Sequence, residues 1–171
     1  MKILFKRNQV LVAVLALLLS VACFAQKKRE SPPDSATGKI GKATITINYS
    51  SPSVKGRKIW GGLVPYNKVW RAGANEATTF KTDQNIHIEG QLLEAGEYGF
   101  FLIPGETKWV VIFNRVYDQW GAYDYDKSAD ILRVEVTPKT LPALNERLVY
   151  KINATGFSLI WENLEVPVSV K

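Results

Sequence analysis

The 171 residues of the sequence include one cysteine and one histidine. The chain therefore has few side chains for a site that depends on thiols, metal ions or histidine. The cysteine, Cys23, lies in an N-terminal apolar segment, so a chain that loses this segment has no thiol and no disulfide. The histidine, His87, has no second histidine or cysteine with which to form a transition-metal site. A Gly-x-Ser-x-Gly nucleophile motif is also absent, which argues against a serine hydrolase.

An excess of positive charge is missing from the main part of the chain, although the formal net charge is +6. Of the 22 basic residues, six precede residue 30, and the remaining 16 equal the 16 acidic residues, which all lie at Glu30 or later. The six are Lys2, Lys6, Arg7, Lys27, Lys28 and Arg29. A nucleic-acid-binding domain carries a basic face, so we expect no nucleic-acid partner.

The first 25 residues predict a signal peptide. Basic residues precede an apolar run at residues 10–19, which is shorter than the roughly 20 residues of a membrane span. Cleavage after Ala25 predicts an exported product that is periplasmic, outer-membrane-associated or secreted. The alternative is a lipoprotein signal in which Cys23 is acylated. In that case the lipid anchor is the protein's contact with the membrane.

Residues 26–41 predict a flexible linker, because Lys, Arg, Ser, Pro, Asp, Thr and Gly dominate them. Residues 42–171 then predict a single domain. A domain of this length buries enough apolar surface to fold without disulfides.

The sequence pattern of this domain predicts an all-β fold. Short apolar or alternating segments are separated by turn residues, and no segment has a helical period. Residues 98–103 and 108–114 flank a Pro-Gly turn and are apolar on both faces, which predicts a central hairpin. The other expected strands are 43–49, 77–82, 86–89, 131–137, 147–153, 157–161 and 164–170. About eight or nine such strands indicate an antiparallel β-sandwich or a barrel-like domain.

A loop at residues 56–79 concentrates aromatic, glycine and polar residues, a mixture typical of an ordered binding loop. Arg71 offers donors for a carboxylate or phosphate, and Glu76 offers acceptors for hydroxyls or a proton and is the candidate catalytic residue. Asn75 can both donate and accept. The aromatic rings of the site are Trp60, Tyr66 and Trp70, with Trp120 and Tyr123 from a second loop at residues 118–130. The alternative is that these polar groups pair with one another or bind loop carbonyls.

The second loop also has the spacing of a calcium-binding loop. Asp124, Asp126 and Ser128 occupy its first, third and fifth positions, and Glu135 occupies its twelfth. Two features argue against calcium, because Ala129 replaces the glycine of the sixth position and Glu135 falls in a predicted strand. A solvated acidic loop is therefore the main expectation.

Several ordered motifs resemble one family. They are the block at residues 51–66, Val69-Trp-Arg-Ala-Gly-Ala-Asn-Glu-Ala-Thr78, Ala95-Gly-Glu-Tyr98, Ile103-Pro-Gly105, Trp109, Ile112-Phe-Asn114, Trp120-Gly-Ala-Tyr-Asp-Tyr125 and Leu132-Arg-Val134. They are similar to an uncharacterised exported bacterial family catalogued as domain of unknown function 2911. The resemblance covers roughly residues 40–170 and implies one exported domain, without an activity.

Two functions are compatible with these observations. The first is a non-catalytic exported β-sandwich that binds a small polar ligand, a glycan or an envelope protein and needs no cofactor. The alternative is a hydrolase of glycan or another envelope polymer, in which Glu76 and an aspartate of the 118–126 loop form a carboxylate pair.

Overall fold

Ten β-strands make up most of residues 29–171, the part of the chain that the computed structural model describes. They are β1 (Pro33–Ile40), β2 (Ala43–Ser50), β3 (Thr78–Thr82), β4 (Ile86–Ile88), β5 (Gln91–Leu93), β6 (Gly96–Ile103), β7 (Trp109–Asn114), β8 (Asp130–Val136), β9 (Lys139–Asn153) and β10 (Gly156–Ser169). A 3-10 turn at Lys127–Ala129 precedes β8. The all-β prediction is confirmed. Residues 29–171 contain no helix that is long and apolar enough to cross a membrane.

Six strands form one antiparallel sheet in the order β1-β2-β3-β6-β7-β8. The β9–β10 and β4–β5 hairpins form two further two-stranded sheets. The predicted hairpin is confirmed as β6–β7, and both of its strands have a second neighbour, β3 or β8. Neighbours on both sides suit strands that are apolar on both faces.

The main core lies between the six-stranded sheet and the β9–β10 hairpin. Phe100 and Phe113, on alternate positions of the sheet, are at most 1% exposed, and their ring centroids lie 5.4 Å apart. Phe100 also packs on Phe157 of β10, with centroids 5.7 Å apart. Trp161, farther along β10, is 1% exposed and belongs to this core. Because side chains alternate across a strand, the next residues of β6 and β7 point to the opposite face of the sheet.

That opposite face has a smaller apolar cluster of its own. Phe101 and Ile112 are fully buried there with Ala77. Partly buried side chains from two loops, among them Val69 and Tyr125, pack against it. The loop before β3 and the loop after β7 are therefore both anchored on this outer face.

The predicted linker is wrong over residues 33–40, which form β1. This strand pairs with β2 from Pro33 opposite Ser50 to Ile40 opposite Ala43. It is an edge strand with mostly exposed residues, so its composition looks like that of a linker. The predicted signal peptide and Cys23 lie outside the described residues.

Candidate functional site

The loop between β2 and β3 is fixed to the sheet by backbone hydrogen bonds. The Trp70 N–H donates to the Leu102 carbonyl at 2.7 Å, and the Leu102 N–H donates back to Trp70 at 2.9 Å. The Asn67 N–H donates to the Pro104 carbonyl at 2.7 Å. These bonds continue the line of β3 along β6, so the loop has a defined conformation on which side chains can be positioned.

Two tryptophans of this loop pack with two from β7 and β10. The Trp60 ring centroid lies 4.8 Å from that of Trp109, 5.8 Å from Trp70 and 5.7 Å from Trp161. Trp70 stacks on Trp161 at 5.9 Å. Trp60 is 8% exposed, which leaves little ring surface for a ligand. We therefore reassign Trp60 from ligand stacking to core packing.

Two other candidates from this loop also contribute to packing. Tyr66 and Trp70 are half-buried against the main core, and the Tyr66 ring lies over Gly61. Asn75 donates from Nδ2 to the Ser31 carbonyl at 3.0 Å, so it has the carbonyl-binding role that the sequence offered as the alternative. Of the predicted residues in this loop, Arg71 contacts the second loop, and Glu76 directly precedes a residue that is bonded to it.

A backbone hydrogen bond joins the two loops. The Ala77 N–H donates to the Gln119 carbonyl at 3.0 Å. Glu76, which is exposed, precedes Ala77, and Asp118 precedes Gln119. The bond therefore brings the segments of both acidic residues together on the outer face.

The second loop is held by Asn114, the last residue of β7, which is completely buried. Its Nδ2 donates to the Asp126 carbonyl at 2.9 Å and to Asp130 Oδ1 at 2.7 Å. Its Oδ1 accepts the Val116 N–H at 2.8 Å. One side chain thus binds both ends of residues 115–126. A buried asparagine at the end of an apolar strand is the sequence signal that could have identified this position.

A second polar network holds the C-terminal end of the loop. The Tyr125 hydroxyl donates to Asp130 Oδ2 at 2.7 Å, and Arg133 donates to the same oxygen at 2.6 Å. The Tyr125 ring packs on Phe101 with centroids 5.2 Å apart. Burial and then the hydrogen bond to Asp130 raise the pKa of Tyr125 to about 12. The phenol is therefore neutral and positions the loop at ordinary pH.

Arg71 lies under the second loop. A Cβ added to Gly121 would overlap the guanidinium Nη1 of Arg71 and would lie 3.3 Å from the Tyr123 ring. Within the described residues, Arg71 Nε and Gln119 Oε1 are buried and have no hydrogen-bond partner. A donor and an acceptor are thus left unsatisfied in the interior beside the second loop.

Four large side chains project from the same loop into solvent. Val116 is 43% exposed, Tyr117 is 44%, Trp120 is 55% and Tyr123 is 79%. We call this set the aromatic loop surface. Trp120 and Tyr123 are predicted site residues, whereas Val116, Tyr117 and Gln119 escaped sequence reasoning because nothing in the pattern distinguishes exposed from buried residues in a loop.

The calcium spacing does not assemble a site. Asp126 accepts the Ser128 N–H at 2.8 Å and its hydroxyl at 2.7 Å, and so caps the 3-10 turn. Glu135 forms an ion pair with Lys108 at 2.9 Å on the exposed surface of β8. Asp124 is exposed in the loop. Among residues 29–171, no three acidic, histidine or cysteine side chains are close enough to hold a metal ion.

Comparison with known families gives a match over most of the chain. The model of a family described as "Protein of unknown function (DUF2911)" matches residues 31–170. No curated protein and no solved structure matches the chain. The matched region begins just before β1, so it includes the strand that composition had suggested to be a linker.

Proposed function

Because the chain belongs to the DUF2911 family, whose description names no activity, we propose a function from its own geometry. The protein is an exported, non-catalytic binding module, and it holds a glycan on the aromatic loop surface. The observation that carries this proposal is the exposure of Trp120 and Tyr123 on a loop whose two ends are fixed by buried side chains.

Exposure of these rings has an energetic cost that a structural role does not explain. Soluble proteins seldom expose contiguous large apolar groups, and those that do often use them for binding. Val116, Tyr117, Trp120 and Tyr123 lie within eight consecutive residues. The loop is not a loose segment, because Asn114 and Tyr125 fix it from below. A rigid loop holds the rings in place before the ligand arrives, which lowers the entropic cost of binding.

The polar groups beneath the rings favour a glycan over a purely apolar ligand. Arg71 Nε is a donor and Gln119 Oε1 an acceptor, and both are buried without a partner within residues 29–171. A ligand that moves the covering side chains would satisfy both groups. A sugar presents an apolar ring face together with hydroxyls that both donate and accept. Aromatic rings beside a few placed polar groups are the composition expected of such a site.

Export is the second part of the proposal and is supported by the leader sequence. The basic residues and the apolar run of residues 1–25 favour cleavage after Ala25, and acylation at Cys23 is the alternative. The mass of the protein isolated from its native cells distinguishes the two. A mature chain beginning at Gln26 or a lipidated chain beginning at Cys23 supports export, and an unprocessed chain found with the cytoplasmic proteins contradicts it.

Binding is tested by isothermal titration of a panel of neutral and acidic oligosaccharides. We expect one class to bind, and the Trp120→Ala and Tyr123→Ala variants to weaken its binding by at least about fivefold, since stacking on a ring contributes about 1 kcal/mol or more. Leu144→Ala is the matched control, because Leu144 is 64% exposed on β9, outside the loop. Unchanged affinity in both aromatic variants would refute the proposed surface.

The hydrolase remains a second candidate because of the Ala77–Gln119 hydrogen bond, which brings the segments of Glu76 and Asp118 together. A retaining or inverting glycosidase needs two carboxylates about 5–10 Å apart. Product analysis of the same oligosaccharides after long incubation separates the two functions. Cleavage that is lost in Glu76→Gln supports the hydrolase, and intact oligosaccharides that bind without turnover support the binding module.

A further inference from the structure

A cavity of about 620 Å³ lies away from the aromatic loop surface. Its lining includes Lys108, just before β7, and Glu135, near the end of β8. The aromatic loop instead follows the last residue of β7, Asn114. The two sites therefore lie at opposite ends of the β7–β8 pair, and the cavity is independent of the proposed glycan surface. Its volume lies within the range of roughly 300–1,000 Å³ typical of small-molecule sites.

The cavity has a buried floor and a charged rim. Val136, Phe157 and Val168 lie in the floor, together with the buried hydroxyl residue Ser158. The rim has three carboxylates and two ammonium groups, from Glu89, Glu135, Glu165, Lys108 and Lys139. Phe157 is 2% exposed and presents little ring surface, so the cavity lacks the stacking platform of a sugar site.

Three of the five charged groups already have partners within the protein. Glu135 and Lys108 form an ion pair at 2.9 Å. Glu89 Oε1 accepts the Ser169 N–H at 2.5 Å. The charges left for a ligand are one carboxylate, from Glu165, and one ammonium group, from Lys139.

Glu165 and Lys139 face each other across the β9–β10 pair. Opposite charges in directly opposed positions of an antiparallel pair usually attract each other. Within residues 29–171, however, neither side chain has an ion-pair partner within 4.0 Å. The carboxylate and the ammonium group are therefore not bound to each other, and both can bind the opposite charges of a molecule in the cavity.

We propose that this cavity binds a zwitterionic small molecule of the size of a short peptide. Glu165 binds the ammonium group of the ligand, and Lys139 binds its carboxylate. The apolar floor accommodates the uncharged part of the ligand. Hydrogen bonds between ionised groups are about twice as strong as neutral ones, so the pair of charges selects for both ends of the ligand.

Calorimetric titration of the purified protein with the dipeptide Ala-Ala tests the proposal. N-acetyl-Ala-Ala lacks the ammonium group and Ala-Ala-amide lacks the carboxylate. We expect Ala-Ala to bind and each blocked peptide to bind at least about tenfold more weakly, because one charge of the site is then left unpaired. Equal affinity for free and blocked peptides, or no binding of Ala-Ala at millimolar concentration, would overturn the proposal.

Variants of the cavity assign the two roles. Glu165→Gln should weaken the binding of Ala-Ala by about tenfold and leave the affinity for N-acetyl-Ala-Ala unchanged. Lys139→Met should also weaken the binding of Ala-Ala by about tenfold, and it should leave the affinity for Ala-Ala-amide unchanged. Lys81→Met is the control, because Lys81 forms an exposed cross-strand ion pair with Glu97 outside the cavity lining. Melting temperatures verify that each variant is folded. If the two cavity variants bind Ala-Ala as the control does, the assignment is refuted.

Discussion

Arg71 lies so close to Gly121 that a Cβ at position 121 would overlap its guanidinium Nη1. The two residues belong to the two loops that meet on the outer face of the six-stranded sheet. Gly121 also has a φ of 68°, in the left-handed region that favours glycine. Position 121 therefore favours glycine for two reasons, which are its left-handed backbone conformation and its contact with Arg71, the proposed hydrogen-bond donor to the ligand.

The first prediction uses this contact. Gly121→Ala should displace Arg71 and the Tyr123 ring and weaken glycan binding by about tenfold, the effect of losing about 1.4 kcal/mol. Gly56→Ala is the control for backbone strain, because Gly56 has a φ of 66° and nothing within 4 Å of an added Cβ. Both variants should lose about 1–2 kcal/mol of unfolding free energy. Equal affinities in the two variants would contradict a role of the Arg71 contact in binding.

The second prediction concerns Asn114. Asn114→Ala removes two hydrogen bonds to the ends of the 115–126 loop and one to Asp130, and it leaves the Val116 N–H without its partner. We expect a loss of about 2–3 kcal/mol in urea unfolding and faster hydrogen exchange at Val116. Asn163→Ala serves as the comparison, since Asn163 is exposed and its substitution should cost less than about 0.5 kcal/mol. Unchanged exchange at Val116 would show that Asn114 does not hold the loop.

The third prediction separates the tryptophans by role. Trp60→Ala removes the ring that contacts three other tryptophans and should cost about 3–5 kcal/mol in unfolding free energy. Trp120→Ala should change stability by less than about 0.5 kcal/mol, because the ring is 55% exposed. Thermal and urea unfolding measure both effects. Similar losses in the two variants would mean that Trp120 also packs and would weaken the glycan proposal.

Most of the strands can be predicted from the sequence, because the residue patterns that indicate a strand are local. Alternation identified β2, and apolar segments around a Pro-Gly turn identified the β6–β7 hairpin. β1 was missed, because an edge strand buries one face only and its polar residues are those of a linker. β10 was expected as two strands, although it continues through irregular pairing near Glu162, where φ is 55°.

The candidate site is harder to predict from the sequence, because the exposure of a side chain depends on tertiary contacts. Trp60 and Trp120 are chemically identical in the sequence, but Trp60 is 8% exposed and Trp120 is 55% exposed. The difference arises from Trp109 and Trp161, which lie far from Trp60 in the chain. The sequence indicates Arg71 by its hydrogen-bond donors alone, whereas its position beneath Gly121 follows from the way two distant loops meet.

The fourth prediction concerns pH. Burial and then a hydrogen bond with Asp34 raise the pKa of Tyr49 to about 12, and Tyr125 is raised to about 12 in the same way through Asp130. The unfolded phenols have the ordinary value of 10.0. A raised folded pKa gives stability that is complete below about pH 10 and is lost as the pH rises through about 12.

Urea unfolding measured between about pH 9 and pH 12 tests this prediction, and we expect the unfolding free energy to decline over that interval. The double variant Tyr49→Phe and Tyr125→Phe should show a shallower decline, because two of the groups that titrate on unfolding are gone. Its stability at pH 7 provides the reference for the lost hydrogen bonds. A decline as steep as that of the parent protein would assign the alkaline sensitivity to other groups.

The last prediction concerns the N-terminal boundary of the domain. A chain that begins at residue 41 lacks β1, the Tyr49–Asp34 hydrogen bond and the bond from the Ser51 N–H to the Pro32 carbonyl. It also lacks Ile40, which is 5% exposed in the core. We expect it to lose more than about 3 kcal/mol of unfolding free energy relative to a chain that begins at residue 31, since β2 becomes an unpaired edge. Urea unfolding of the two chains measures the difference, and equal stabilities would mean that residues 33–40 contribute nothing to the fold and behave as the linker that their composition suggests.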